Sequence, residues 1–194
     1  LSGKKERFYK MINVNDEQLK KLRNSIDSKL AVNHEFRTIV KRIDSGKATF
    51  ADTARYSQIL AHTIGKELSA NVLNFADREQ ITKQLLQYGY KDINEVCSRV
   101  QESLDRNLGV SIRPKNADFP EERVQQFAHS LIDPTVEASV IQRRARAGTE
   151  TITKSFHDDY IQKNAQFRHD AGLKCYMERI DPNCCDWCTE VSGR

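Results

Sequence analysis

Residues 133–172 read DPTVEASVIQRRARAGTETITKSFHDDYIQKNAQFRHDAG, and this stretch sets the architecture. Asp133 is placed to cap a helix, and Pro134 suits the first helical turn, where its missing N–H leaves no bond unmade. A helical pattern then continues to Gly172, with Gly148 as its one interruption and the expected point of a kink. At 1.5 Å per residue the span is about 55–60 Å. Only four prolines and eight glycines interrupt the 194 residues, which favours long helices over a sandwich of short strands.

The segments before this helix repeat the helical theme. Leu19, Leu22, Ile26 and Leu30 recur at three- and four-residue steps after NDEQ, where Asn15 is expected to cap and Gln18 to reach back. Phe36, Ile39, Val40 and Ile43 continue the pattern until Gly46. Thr49 and Asp52 resemble a capping pair, followed by Tyr56, Ile59, Leu60, Ile64 and Leu68. A short helix is expected to carry Ile81, Leu85 and Leu86 up to Gly89. A separate one is expected to open at Asp92, with Glu95 reciprocal, and to run through Ile93, Val96, Val100 and Leu104 to Gly109. These stripes build a core. VSIRPKNADFPEE then reads as a connector anchored by Ile112 and Phe119, and a short helix with Val124, Phe127, Ala128 and Leu131 follows. Beyond Gly172, LKCYMERI suggests a strand before Asp181-Pro182 turns the chain into CCDWC.

A net charge of +4 permits contact with nucleic acid or an acidic partner without demanding it. No apolar run approaches the roughly 18 residues of a membrane span, and the amino terminus carries no apolar leader core, so a soluble intracellular chain is expected. No small-molecule site is evident. Five cysteines, clustered near one end, do not resemble a secreted disulfide framework. Cys97, between Val96 and Val100, reads as buried and inert.

The chemistry-bearing candidates are few. Cys185 and Cys188 have the C-x2-C spacing that lets two thiolates reach one zinc ion from a tight turn. Cys184, adjacent to Cys185, diverges from it, and Cys175 is a third sulfur only if the strand folds back. Metal binding, reactive thiols and ordinary packing all stay open from these residues, although a thioredoxin-like context is missing. QRRARAG, with Arg143, Arg144 and Arg146, is the densest basic cluster, and Lys154 follows on the same helix. It reads either as a solvated, lobe-bridging face or as a contact to phosphate backbone that displaces counterions without reading sequence. Lys4, Lys5, Arg7 and Lys10 form a second basic group, read as a solvated end. In FHDDY, His157 sits beside Asp158 and Asp159, but neighbouring helical residues do not converge, so the pair does not read as an acid–base site.

The order of features from Asp133 onward resembles the carboxy-terminal module of phage Mu protein F-like proteins, the minor capsid or head morphogenesis proteins of tailed phages and prophages. Arg146, Thr149, Glu150, Asn164, Ala165, Ala171, Gly172, Cys185, Cys188 and Gly193 stand at the places of that pattern, and CCDWC is similar to a branch from prophages of Gram-positive bacteria. The resemblance covers roughly the last third of the chain. With the readings above, the expected organisation is a mainly α protein: a helical lobe over 1–113, a connector and short helix over 114–132, and, from the resemblance, a Mu F-like module over 133–194. That module would begin with the long helix and end in a small α+β cysteine-containing piece. The resemblance also implies a structural zinc with Cys185 and Cys188 among its ligands, the remaining histidine and C-x-C being expected beyond Arg194. This chain would therefore supply the zinc site only in part. The implied function is a minor structural protein of the virion head, assembled in the bacterial cytoplasm, that binds portal and capsid proteins and DNA. A metal-dependent nuclease or toxin-associated module, and a DNA-binding accessory protein unrelated to heads, are the alternatives.

Overall fold

The computed structural model describes residues 2–173. They form six helices: α1 (Ser2–Val32), α2 (His34–Asp44), α3 (Phe50–Asn71), α4 (Arg78–Asn107), α5 (Glu121–His129) and α6 (Ala138–Asp170), with a 3-10 turn at Val72–Asn74. The protein is mainly helical, and no strand occurs among the described residues. The expected strand and the cysteine cluster lie outside them. No described helix is long and apolar enough to cross a membrane.

The centre of the bundle is the pairing of α3 with α6. Ser57, Ala61, Gly65 and Ser69 recur every fourth residue on α3, which places them in one row. Opposite them, Ala145, Thr149 and Thr153 of α6 are fully buried. Small side chains on both faces let the backbones approach. A Cβ added to Gly65 would lie 3.0 Å from the Arg146 carbonyl oxygen and 2.9 Å from Glu150 Cγ. Ser69 Oγ donates to the Gln142 carbonyl at 2.9 Å, and Thr53 Oγ1 meets His157 Nε2 at 3.0 Å. The partners run in opposite order along the two helices, so α3 and α6 are antiparallel.

Larger side chains close the bundle around this seam. α4 joins through Gly89, where an added Cβ would sit 3.0 Å from Ile64 Cδ1 and 3.4 Å from Thr153 Cγ2. Leu60, Ile64 and Leu68 pack with Leu85, Leu86, Ile93, Phe156 and Tyr160, all essentially inaccessible to solvent. Each such side chain contributes about 1.5–3 kcal/mol of burial. Leu19, Leu22, Ile26 and Leu30 hold α1 against α3 and α4. α2 is capped by Asn33, which accepts from Phe36 N–H at 2.9 Å, and ends at Gly46 in the left-handed region (φ 67°). The expected capping box of Thr49 and Asp52 opens α3.

Several expected helix boundaries are displaced by tertiary contacts. α1 starts at Ser2, so Asn15 lies buried in mid-helix instead of capping. The Gln18 amide bridges to the Asn74 carbonyl and the Ala76 N–H, both at 3.2 Å. The two helices expected on either side of Gly89 are one, because Gly89 is where α4 touches α3 and α6. Asp92 accepts a 2.7 Å hydrogen bond from the Tyr56 hydroxyl and caps nothing. Asp133 closes a turn by accepting from Thr135 N–H at 2.9 Å and Thr135 Oγ1 at 2.7 Å, and α6 begins only at Ala138. α6 continues unbroken through Gly148, whose bare Cα seats the Phe127 ring; an added Cβ would fall 2.2 Å from it. At 33 residues α6 is about 50 Å long, shorter than expected. Gly109 (φ 68°) and Gly172 (φ 80°) stop α4 and α6 in the left-handed conformation the sequence suggested for Gly109.

The seam makes a prediction. Gly65→Leu forces a branched side chain against the α6 backbone, which cannot rotate away. It is expected to lower the unfolding free energy by about 3 kcal/mol, as overpacked cores do, read as a reduced urea midpoint. An unchanged midpoint would mean the helices are not this close.

Candidate functional site

Two buried amides organise the carboxy-terminal half of the bundle. Asn164 on α6 accepts from Lys115 N–H at 2.8 Å and donates to the Lys115 carbonyl at 2.7 Å and the Tyr160 carbonyl at 3.0 Å. Asn94 on α4 accepts from Ala117 N–H at 2.9 Å and donates to the Tyr90 carbonyl at 2.9 Å. The Tyr90 hydroxyl donates to the Ala117 carbonyl. The connector between α4 and α5 has no helix or strand of its own, so its inward backbone groups need partners. These three side chains supply them. Lys115 adds an ammonium 3.8 Å above the Phe167 ring, and Lys163 pairs with Asp118 at 2.7 Å. Ala117 is the buried anchor, whereas Ile112 and Phe119 are only half-buried.

The carboxy-terminal turns of α4 and α6 are tied by a buried ion pair between Asp105 and Arg168, with Gln101 Nε2 also donating to Asp105 at 3.1 Å. Breaking such a pair from one side costs about 3–5 kcal/mol, because the remaining charge stays buried. This group holds helices together.

Of the FHDDY residues, His157 and Asp158 come within ion-pair distance, closer than their spacing suggested, while Asp159 turns away. His157 turns into the α3–α6 seam. Thr53 Oγ1 donates to the Phe50 carbonyl at 2.8 Å and lies within hydrogen-bond distance, 3.0 Å, of His157 Nε2. Asp158 Oδ1 lies 3.5 Å from His157 Nδ1, and Asp159 pairs with Arg123 across to α5. Burial holds the imidazole below its ordinary pKa, with Asp158 opposing the shift. Cys97, fully buried, has its thiol pushed up to about 12 by burial, so it stays protonated and unreactive near neutral pH.

The basic cluster spreads as helical geometry requires. Arg143, Arg144 and Lys154 are exposed, and among the described residues none of them forms an ion pair. Asp133 is held below the ordinary carboxylate range by hydrogen bonds from Thr135, with a smaller Coulombic contribution from Arg144. Between Arg143 and Lys154, exposed Ala147 and Thr151 are short, so the long cations stand clear of the helix. Arg146 differs. Its Nε donates to Glu150 Oε1 at 3.2 Å, and the same oxygen lies 3.1 Å from His62 Nδ1 on α3. Exposed Lys66 stands one turn along α3 from His62. The sequence pointed to the arginines and, through the resemblance, to Glu150, but not to His62 or Lys66, which join the face only through the α3–α6 pairing. Asn164 did leave a signal: it follows Phe156 and Tyr160 at four-residue steps, a polar residue in an apolar row.

Cys175, Cys184, Cys185 and Cys188 lie outside the described residues. Among those residues, no group of three or more His, Cys, Asp or Glu side chains is placed to hold a metal ion. No protein-family model matches the chain, and no curated protein or solved structure shows significant similarity to it.

Two predictions follow from these contacts. Asn164→Ala strips both Lys115 backbone groups of their partner and is expected to cost about 1–3 kcal/mol, with amide-exchange protection lost at Lys115. Retained protection there would refute the clamp. For His157, the folded state favours the neutral ring, so its pKa lies below the unfolded value of about 6.5. The stability this gives is present above pH 6.5 and is lost as pH falls through that value toward the folded pKa. Wild type is therefore expected to lose more Tm than His157→Gln between pH 7 and pH 5.5; parallel curves would contradict it.

Proposed function

We propose that this chain is a minor structural protein of a tailed-phage or prophage head, which uses the exposed basic face of α6 to contact its assembly partners. The portal, the capsid shell and the phosphate backbone of packaged DNA are the partners this reading assigns. The observation that carries it is the division of labour along α6. The half from Ala138 to Lys154 exposes Arg143, Arg144 and Lys154, while Thr149, Phe156, Tyr160 and Asn164 anchor the same helix in the core. A rigid, anchored helix presents charge at low entropic cost.

The resemblance to Mu F-like proteins supports the reading through residues with assigned physical work. Thr149 is fully buried at the seam, Arg146 and Glu150 pair, Asn164 clamps the connector and Gly172 ends the helix. Cys185 and Cys188 belong to the remainder of the module on this reading. Quantitative mass spectrometry of purified heads from a lysogen carrying the gene is expected to find the chain at a few copies per head. Heads that contain none of it would overturn the proposal.

A further inference from the structure

We propose that Glu150 is an intramolecular latch on this face, holding Arg146 and His62 until a DNA phosphate displaces it. The inference rests on reading the α6 face as a phosphate-contacting surface. Two donors from different helices converge on one carboxylate oxygen: Arg146 Nε at 3.2 Å and His62 Nδ1 at 3.1 Å from Glu150 Oε1. Such a convergence marks where an anionic oxygen is stabilised, and a phosphate oxygen is the same kind of acceptor.

The latch is held in place from below. The Glu150 stem lies over Gly65, its Cγ 2.9 Å from where a Cβ would stand, so the seam fixes the carboxylate at the edge of the basic face. Its side chain is 21% exposed, while those of Arg146 and His62 are 49% and 46% exposed. The donors are therefore within reach of an outside ligand and the acid is tucked beneath them. Between Arg143 and Lys154, Glu150 is the one acidic residue on α6. That span is about 17 Å, over which duplex DNA presents roughly ten phosphate charges. Arg143, Arg144 and Lys154 make the first contact. Glu150 then competes with DNA for Arg146 and His62, which limits affinity and makes it depend on how completely the face is engaged.

The test is fluorescence anisotropy of a 20-bp duplex titrated with the full chain between 50 and 200 mM salt. Arg143→Ala/Arg144→Ala is expected to weaken binding for every duplex sequence. Glu150→Gln, close in shape and uncharged, is expected to tighten it several-fold at 50 mM salt. It should also steepen the log–log salt slope by about 0.9, the value for one more neutralised phosphate. Glu150→Ala should act in the same direction, and thermal melts of both variants check folding. In an Arg146→Ala background the Glu150→Gln gain should largely vanish. An equal gain with and without Arg146 would reduce the effect to net charge and overturn the latch. No gain from Glu150→Gln, while Arg143→Ala/Arg144→Ala still weakens binding, would overturn the latch and leave the phosphate-contacting face standing. Absence of DNA binding by wild type and both Glu150 variants at 50 mM salt would overturn the latch and the DNA contact together, leaving a protein partner for the face. The head-composition measurement is independent of all these outcomes.

Discussion

The close approach of α3 and α6 is the constraint on which the rest of the fold depends. Ser57, Ala61, Gly65 and Ser69 on one helix face Ala145, Thr149 and Thr153 on the other, and the Gly65 Cα lies against the Arg146 carbonyl. Dispersion between two close backbones accumulates over many atom pairs, each worth only about 0.1–0.2 kcal/mol. Large apolar side chains are pushed to the flanks of the seam, where Leu60, Ile64, Leu68, Phe156 and Tyr160 pack against α4. Gly89 repeats the device at the three-helix junction. The result is a bundle whose helix spacing is set by glycine, alanine, serine and threonine.

Close packing leaves the connector to be accommodated separately. Between Asn107 and Glu121 the chain crosses the bundle without regular structure, and Asn94, Asn164 and Tyr90 take the place of a neighbouring strand. Each amide also bonds the carbonyl four residues before it, to Tyr90 and Tyr160, so helix and connector share one side chain. The Asp105–Arg168 pair then fixes the ends of α4 and α6. The connector thereby secures α6, with its basic half facing solvent and its polar anchors facing inward.

Charge is partitioned along α6 in the same way. In its second half, Lys163 and Arg168 meet Asp118 and Asp105. In its first half, Arg143, Arg144 and Lys154 are exposed, and among the described residues Arg146 is the basic side chain there that is paired, by an acid that also holds His62. Exposed ion pairs are worth little to stability, so the pairing of Arg146 matters more for what that arginine is available to bind. The head-assembly reading and the latch both grow from this asymmetry.

The sequence by itself determined the helical class, the apolar rows from Leu19 to Leu104, the Thr49–Asp52 cap and the stop at Gly109, because these depend on neighbours within one or two turns. It also placed Arg143, Arg144 and Lys154 together on one helix, since charge and helical period are local. It misplaced the starts of α1 and α6 and divided α4 at Gly89, where local signals point to caps and breaks. Asn15, Asp92 and Gly148 have the right types for those roles but serve burial, the Tyr56 hydroxyl and the Phe127 ring. Only the tertiary structure decided that small residues form the central seam, that Asn94 and Asn164 grip the connector, and that His62 meets Glu150. Those partners are 23 to 88 residues apart in the chain. No local period records a contact at that range; packing creates it.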